Sequence, residues 1–215
     1  MTKHFSRMRP ILRLLAIAAI LIGSAAEGAR AEQLAGASLV TALRQGGYVL
    51  VMRHASSPEA KPDKTTADPE NTNLERQLDQ TGRDTARAMG EAFKKLGIPV
   101  GAVLSSPTYR ALETVRLASF GRAEPFAEIG DGGQSMQRIK EEPASWLRNR
   151  AGEAPRSGTD TIIITHMPNI VAAFGAAANG AGDGEAFVFR PDGKGGAELI
   201  ARVTIGEWPA LASQQ

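Results

Sequence analysis

Beyond residue 31 the chain holds only two histidines, His54 and His166, and each directly follows an apolar run. His54 comes after Tyr48-Val49-Leu50-Val51-Met52-Arg53, and His166 after Thr161-Ile162-Ile163-Ile164-Thr165. A further arginine, Arg110, closes the stretch Ser105-Ser106-Pro107-Thr108-Tyr109-Arg110. These side chains suit phosphoryl transfer. A phosphate monoester is doubly negative and slow to hydrolyse, so a protein must supply charge neutralisation and in-line placement. A neutral imidazole nitrogen on His54 can attack phosphorus and carry the group covalently, dividing one hard step into two easier ones. Arg53 and Arg110 can offer planar, paired donors to the equatorial oxygens. A phosphate beside His166 would raise its pKa and help keep it cationic.

Other chemistries fit less well. There is no cysteine, which excludes disulfides, a thiolate nucleophile and a cysteine-held zinc. Two histidines far apart in sequence, beside arginine or neutral residues rather than carboxylates, make a poor divalent-metal site. No metal and no cofactor is therefore expected. A lone strand-end histidine is commonly structural; the pair, in register with two arginines, is what points to catalysis. A module that binds phosphate without hydrolysing it is the alternative of another class.

The elements that must position these residues can be read from periodicity. Residues 38–45 read as a short helix ended by Gly46-Gly47. Residues 48–52, 100–104 and 161–165 read as strands, the first a continuous apolar run of the kind buried on both faces. Residues 56–73, with three prolines and many charges, read as a long surface loop. A helix capped by Thr81 runs to Leu96, with Ala86, Met89, Phe93 and Leu96 as its buried stripe and Gly97 as its stop. Another starts at Ser105-Ser106-Pro107, placing Arg110 in its first turn and turning Ala111, Thr114, Val115 and Ala118 inward. Residues 124–129 are expected to be extended, 137–150 and 168–178 helical, and 187–189 with 199–205 to form a hairpin. Strands alternating with helices predict an α/β fold: a three-layer α/β/α sandwich with a mostly parallel central sheet and a C-terminal β-hairpin. Ligands of such sheets bind beyond the C-terminal strand ends, where both histidines fall.

Val51-Met52-Arg53-His54-Ala55 resembles the Arg-His-Gly signature of the histidine phosphatase, or phosphoglycerate-mutase-like, superfamily. Residues 105–114 resemble its second motif, whose arginine binds phosphate, and Ile164-Thr165-His166 its second histidine. The resemblance covers roughly residues 47–178. It implies a phosphohistidine on His54, Arg53, Arg110 and Ser57 as substrate-binding residues, and His166 as a second catalytic histidine. It also implies a general acid in Phe126-Ala127-Glu128-Ile129-Gly130-Asp131-Gly132, where Glu128 matches the family pattern and Asp131 is the runner-up. Arg76 and Arg83 read as structural or surface residues. Ala55 replaces the usual glycine, and Ala60 stands where mutase-type members carry asparagine, so hydrolysis fits better than mutase chemistry. The exported branch similar to this chain includes lipopolysaccharide heptose-phosphate phosphatases, which implies an envelope phosphosugar or other small phosphomonoester as substrate. A phosphohistidine-protein phosphatase is the alternative.

Apolar residues make up 42% and charged residues 22% of the chain, ordinary values for a globular protein. The N-terminus has a basic start (Lys3, Arg7, Arg9), an apolar run over residues 11–22, and Ala29-Arg30-Ala31 as a cleavage pattern. Residues 1–31 are expected to be a cleaved signal peptide, residues 32–215 the catalytic domain, and the location periplasmic. Cleavage would remove five of 25 basic and one of 23 acidic residues, turning a net charge of +2 into −2. The basic excess thus belongs to the leader and does not point to nucleic acid. A small phosphomonoester is the expected partner, with no stable membrane insertion after cleavage.

Overall fold

Side-chain alternation along the central strands sorts the core into two layers. The computed structural model describes residues 1–2, 33–132 and 142–214. The leader expected over residues 1–31 lies outside the described residues apart from Met1 and Thr2. Among the described residues, no helix is long and apolar enough to cross a membrane. The elements run α1 (Gly36–Gln45), β1 (Val49–Arg53), α2 (Gln80–Leu96), β2 (Val100–Ser105), α3 (Tyr109–Leu117), β3 (Glu124–Pro125), a 3-10 turn (Ala127–Ile129), α4 (Pro143–Ala151), β4 (Asp160–Thr165), α5 (Met167–Phe174), a second 3-10 turn (Gly175–Ala178), β5 (Ala186–Pro191), β6 (Ala197–Val203) and α6 (Glu207–Ser213). Leu50, Met52, Ile162, Ile164 and Val188 face one layer, against Leu43 of α1, Met89 and Phe93 of α2, Val115 of α3 and Trp208 of α6. Their sequence neighbours Val49, Val51, Ile163 and Phe187 face the other, against Trp146 and Leu147 of α4 and Ile170 of α5. A strand with helices on both faces needs an apolar residue at every position, which is why β1 and β4 read as unbroken apolar runs.

The six strands lie in the order β3-β2-β4-β1-β5-β6. β1 pairs parallel with β4, β2 parallel with β4 and β3, and β5 antiparallel with both β1 and β6. The chain leaves β1 for β2 on the far side of β4, and leaves β4 for β5 on the far side of β1. The order therefore reverses between β1 and β4, the crevice where open α/β sheets bind ligands. Arg53 lies opposite Thr165 in the β1/β4 register, His54 N–H donates to Thr165 O at 3.0 Å, and Ser106 N–H to Ile164 O at 2.8 Å. Three strand ends thus finish at one level.

Several boundaries differ from the sequence reading. Asp79, not Thr81, caps α2, its carboxylate accepting from Gly82 N at 2.7 Å. Gly82 also lies against the loop after His54; a Cβ there would sit 2.1 Å from Ser56 O. α3 begins at Tyr109, two residues after Pro107, because Ser105 still belongs to β2. The 124–129 stretch is extended only at Glu124–Pro125 before its 3-10 turn. α4 starts at Pro143, which interrupts nothing because a proline at the first helical position forfeits no hydrogen bond; residues 137–141 of the expected helix lie outside the described residues. α5 ends at Phe174. α6 was absent from the sequence reading, being seven residues with a proline inside.

Candidate active site

The crevice opens into a cavity of about 840 Å³ lined by Arg53, His54, Ser57, Arg110, Glu128, Asp131 and His166, among others. The structure brings every sequence-predicted site residue to this one pocket. It adds Arg76, which the sequence reading assigned to structure or surface, and Glu59. Arg83 stays outside the lining; its guanidinium donates to Leu78 O at 2.6 Å and lies 3.9 Å from Asp68.

The two imidazoles are buried, 3% and 4% exposed, with ring centroids 5.2 Å apart. Their partners fix opposite tautomers. His54 Nδ1 lies 2.7 Å from Ala55 O. A carbonyl can only accept, so Nδ1 carries the proton and Nε2 holds the lone pair. Arg110 Nε donates to that lone pair at 3.2 Å. In His166 the order reverses: Arg110 Nη2 lies 3.2 Å from Nδ1, which must then accept, while Nε2 donates to Ser106 Oγ at 2.9 Å. The same Nη2 pairs with Asp131 Oδ2 at 2.8 Å. One buried guanidinium therefore bridges the nucleophile candidate, the second histidine and a carboxylate.

Burial, and then the guanidinium groups of Arg110 and Arg53, push the His54 imidazole down to about 3, although the bond to Ala55 O pulls the other way. His166 is likewise held well below the usual imidazole range, by burial first and then by Arg110 and His54. Burial and the neighbouring cations thus keep both imidazoles neutral at neutral pH. A cationic His166 needs a further negative charge beside it.

Each arginine is placed by a different element. Arg110 follows Tyr109 at the start of α3, where the Tyr109 N–H is capped by Glu75 Oε2 at 3.0 Å, since the N-cap Thr108 makes no side-chain cap. Arg53, at the end of β1, donates to Ala181 O at 3.0 Å and pairs with Asp183 at 2.8 Å. The 181–185 segment returns a bond from Gly184 N to His54 O at 3.0 Å. The sequence reading missed this loop because its glycines and acids carry no motif. Glu128 rides on the 3-10 turn and is largely buried. That turn is tied to the β4 end: Thr165 Oγ1 donates to Ile129 O at 2.8 Å and Asn169 Nδ2 to Gly130 O at 2.8 Å. Ser57 Oγ donates to Gln77 O at 2.9 Å, so its hydroxyl closes the loop while its residue lines the pocket.

A family model described as the histidine phosphatase superfamily (branch 1) matches residues 49–162, more than half of the chain. Two solved structures share the fold. The protein histidine phosphatase SixA complexed with tungstate is 17% identical, with a TM-score of 0.54 over 74% of this chain and 98% of that one. The Nakamurella multipartitia protein put forward as a phosphohistidine phosphatase SixA is 18% identical, with a TM-score of 0.51 over 74% and 95%. No curated protein matches the sequence significantly.

The neutral histidines set a pH dependence of stability. Both protonate at their ordinary 6.5 in the unfolded chain but resist protonation when folded. Their contribution is therefore complete above 6.5 and is lost as pH falls toward the folded value. Asp160, buried and pushed up to about 7 by burial, acts in the opposite sense, so the comparison must be between variants. Urea unfolding of wild type and His54→Gln at about pH 7.5 and about pH 5.5 should show the gap moving in the variant's favour by about 1 kcal/mol at the lower pH. A gap independent of pH contradicts a neutral, buried His54.

Proposed function

The chain belongs to the histidine phosphatase superfamily, and from that premise we propose that it is a metal-independent phosphomonoesterase acting through a phosphohistidine on His54. One observation carries the reading: the His54 lone pair on Nε2 points to a guanidinium that can exchange it for a phosphate oxygen. The incoming phosphoryl oxygens take the N–H groups of Arg110 and Arg53, which frees Nε2. Nε2 attacks phosphorus in line, the P–O bond to the leaving group breaks, and the departing oxygen takes a proton from a pocket carboxyl. Water then gives its proton to that carboxylate and attacks the phosphohistidine. The P–N bond breaks, the lone pair returns to Nε2, and inorganic phosphate leaves. The dianion raises the pKa of His166, which takes up a proton at Nδ1 once Arg110 turns to the ligand. Arg110 donating to both imidazole lone pairs disfavours a divalent cation there.

Glu128 is the proposed acid, with Asp131 as the alternative. Carboxyl groups in the lining, Glu128 and Asp131 among them, favour an ester whose leaving alkoxide needs a proton. The cavity size suits a small molecule, and an envelope phosphosugar remains the proposed substrate. The two fold neighbours named for phosphohistidine hydrolysis supply the second reading, in which the bond broken is P–N. We further propose that residues 1–31 are an export signal, on the basic start and apolar run, and that residues 32–215 are the catalytic domain in the periplasm.

Purified protein should hydrolyse p-nitrophenyl phosphate in excess EDTA, and His54→Ala should lose at least roughly a thousandfold in kcat. Chelator-sensitive turnover, or turnover that survives the loss of His54, overturns the mechanism. Leaving-group dependence separates the acids. Glu128→Gln should lower kcat/KM, which reports phosphoryl transfer to His54, by about 10²–10⁴-fold on an alkyl phosphate and far less on p-nitrophenyl phosphate, since that leaving group needs little protonation. The same pattern in Asp131→Asn, and not in Glu128→Gln, assigns the proton to Asp131.

A further inference from the structure

Arg76 lines the same pocket as the two histidines and the two motif arginines, yet its circumstances differ from theirs. Arg53 is paired with Asp183 and Arg110 with Asp131. Among the described residues Arg76 has no carboxylate at ion-pair distance. Its guanidinium is instead fixed by the main chain: Nε donates to Pro58 O at 2.7 Å and Nη2 to Ser57 O at 2.9 Å. A guanidinium has five N–H donors, so two are used for placement and the rest form an edge without partners among the described residues.

The residues around Arg76 are locked as well. Glu75 caps α3 through Tyr109 N. Gln77 accepts from Asp68 N at 3.0 Å and donates to Thr66 O at 3.0 Å. Leu78 N donates to the buried Glu113 at 3.2 Å. Position 76 is therefore a rigid point on an otherwise irregular loop. A cation whose ordering is already complete before a ligand arrives loses little entropy on binding one.

We propose that Arg76 binds a second anionic group of the substrate, a carboxylate on the leaving side of the phosphomonoester. The proposal rests on the phosphatase reading and narrows its substrate class. One guanidinium, with Glu59 also in the lining, balances a singly charged group better than a second phosphate dianion. A carboxylate can also take two parallel N–H bonds from the free edge.

The test uses isosteric esters that differ only by a carboxylate: 3-phosphoglycerate against glycerol 3-phosphate, and phosphoglycolate against 2-hydroxyethyl phosphate. Each competes against p-nitrophenyl phosphate turnover by wild type and by Arg76→Met. In wild type the carboxylated member of each pair should inhibit at roughly tenfold lower concentration, the ratio expected for one charged hydrogen-bonding partner. In Arg76→Met that ratio should collapse to within about twofold, whatever shift is common to both members. Equal inhibition by both members in wild type overturns the proposal. So does a variant that weakens both in the same proportion, since Arg76 would then only brace the 57–58 turn or hold the transferred phosphate. Calorimetric titration of the same pairs reads the preference without turnover. A protein that hydrolyses nothing but still binds the carboxylated ester more tightly refutes the phosphatase reading and keeps the anion site, and one that binds neither ester refutes the anion site.

Discussion

The Arg110 guanidinium, nearly sealed from solvent, is the interaction on which the pocket depends. Its N–H groups meet the free nitrogen of His54, the free nitrogen of His166 and the carboxylate of Asp131. A buried charge is costly unless paired and hydrogen-bonded, and here the partners are the two imidazole nitrogens and a carboxylate of the pocket itself. Under the proposed mechanism an arriving phosphoryl group replaces those partners with oxygens of greater charge, so that binding and exposure of His54 Nε2 become one event.

The sheet makes this geometry possible. Arg53-His54 and Thr165-His166 end adjacent parallel strands, and Ser105-Ser106 ends the next one. Parallel strands stop at a common level when their register is fixed, and the apolar packing on both faces fixes it, because a one-residue slip would turn every side chain to the wrong layer. The opposite tautomers of the two histidines follow from what lies behind them, a carbonyl for one and a serine hydroxyl for the other. The loop over residues 56–79 completes the wall. It is irregular but tied through Glu75, Gln77 and Glu113, so irregular backbone here is not loose backbone.

Much of this was legible in the sequence, and the limits have physical causes. The strands β1 and β4 announced themselves because burial on both faces leaves an unbroken apolar signature, and the residue after each was then placed by chain connectivity alone. The site residues drawn from the three motifs meet in one pocket for the same reason. The place of Arg76 in the pocket wall was not legible because its partners are main-chain carbonyls of Ser57 and Pro58, some twenty residues back, and no side-chain pattern encodes them. The Arg53 loop at 181–185 and the trans cap from Glu75 to α3 are likewise long-range contacts made by ordinary surface residue types. The cap at Asp79 and the 3-10 turn bearing Glu128 were missed for a local reason: neighbouring Thr and Asp both cap well, and a three-residue turn is too short to show a period.

Rapid quench of p-nitrophenyl phosphate turnover, followed by alkaline peptide mapping, tests the central claim most directly. The account predicts a transient phosphoryl group on His54, attached at Nε2, formed and consumed at the rate of turnover. Turnover without any phosphoenzyme, or a phosphoryl group on His166 or on an oxygen side chain, would contradict it.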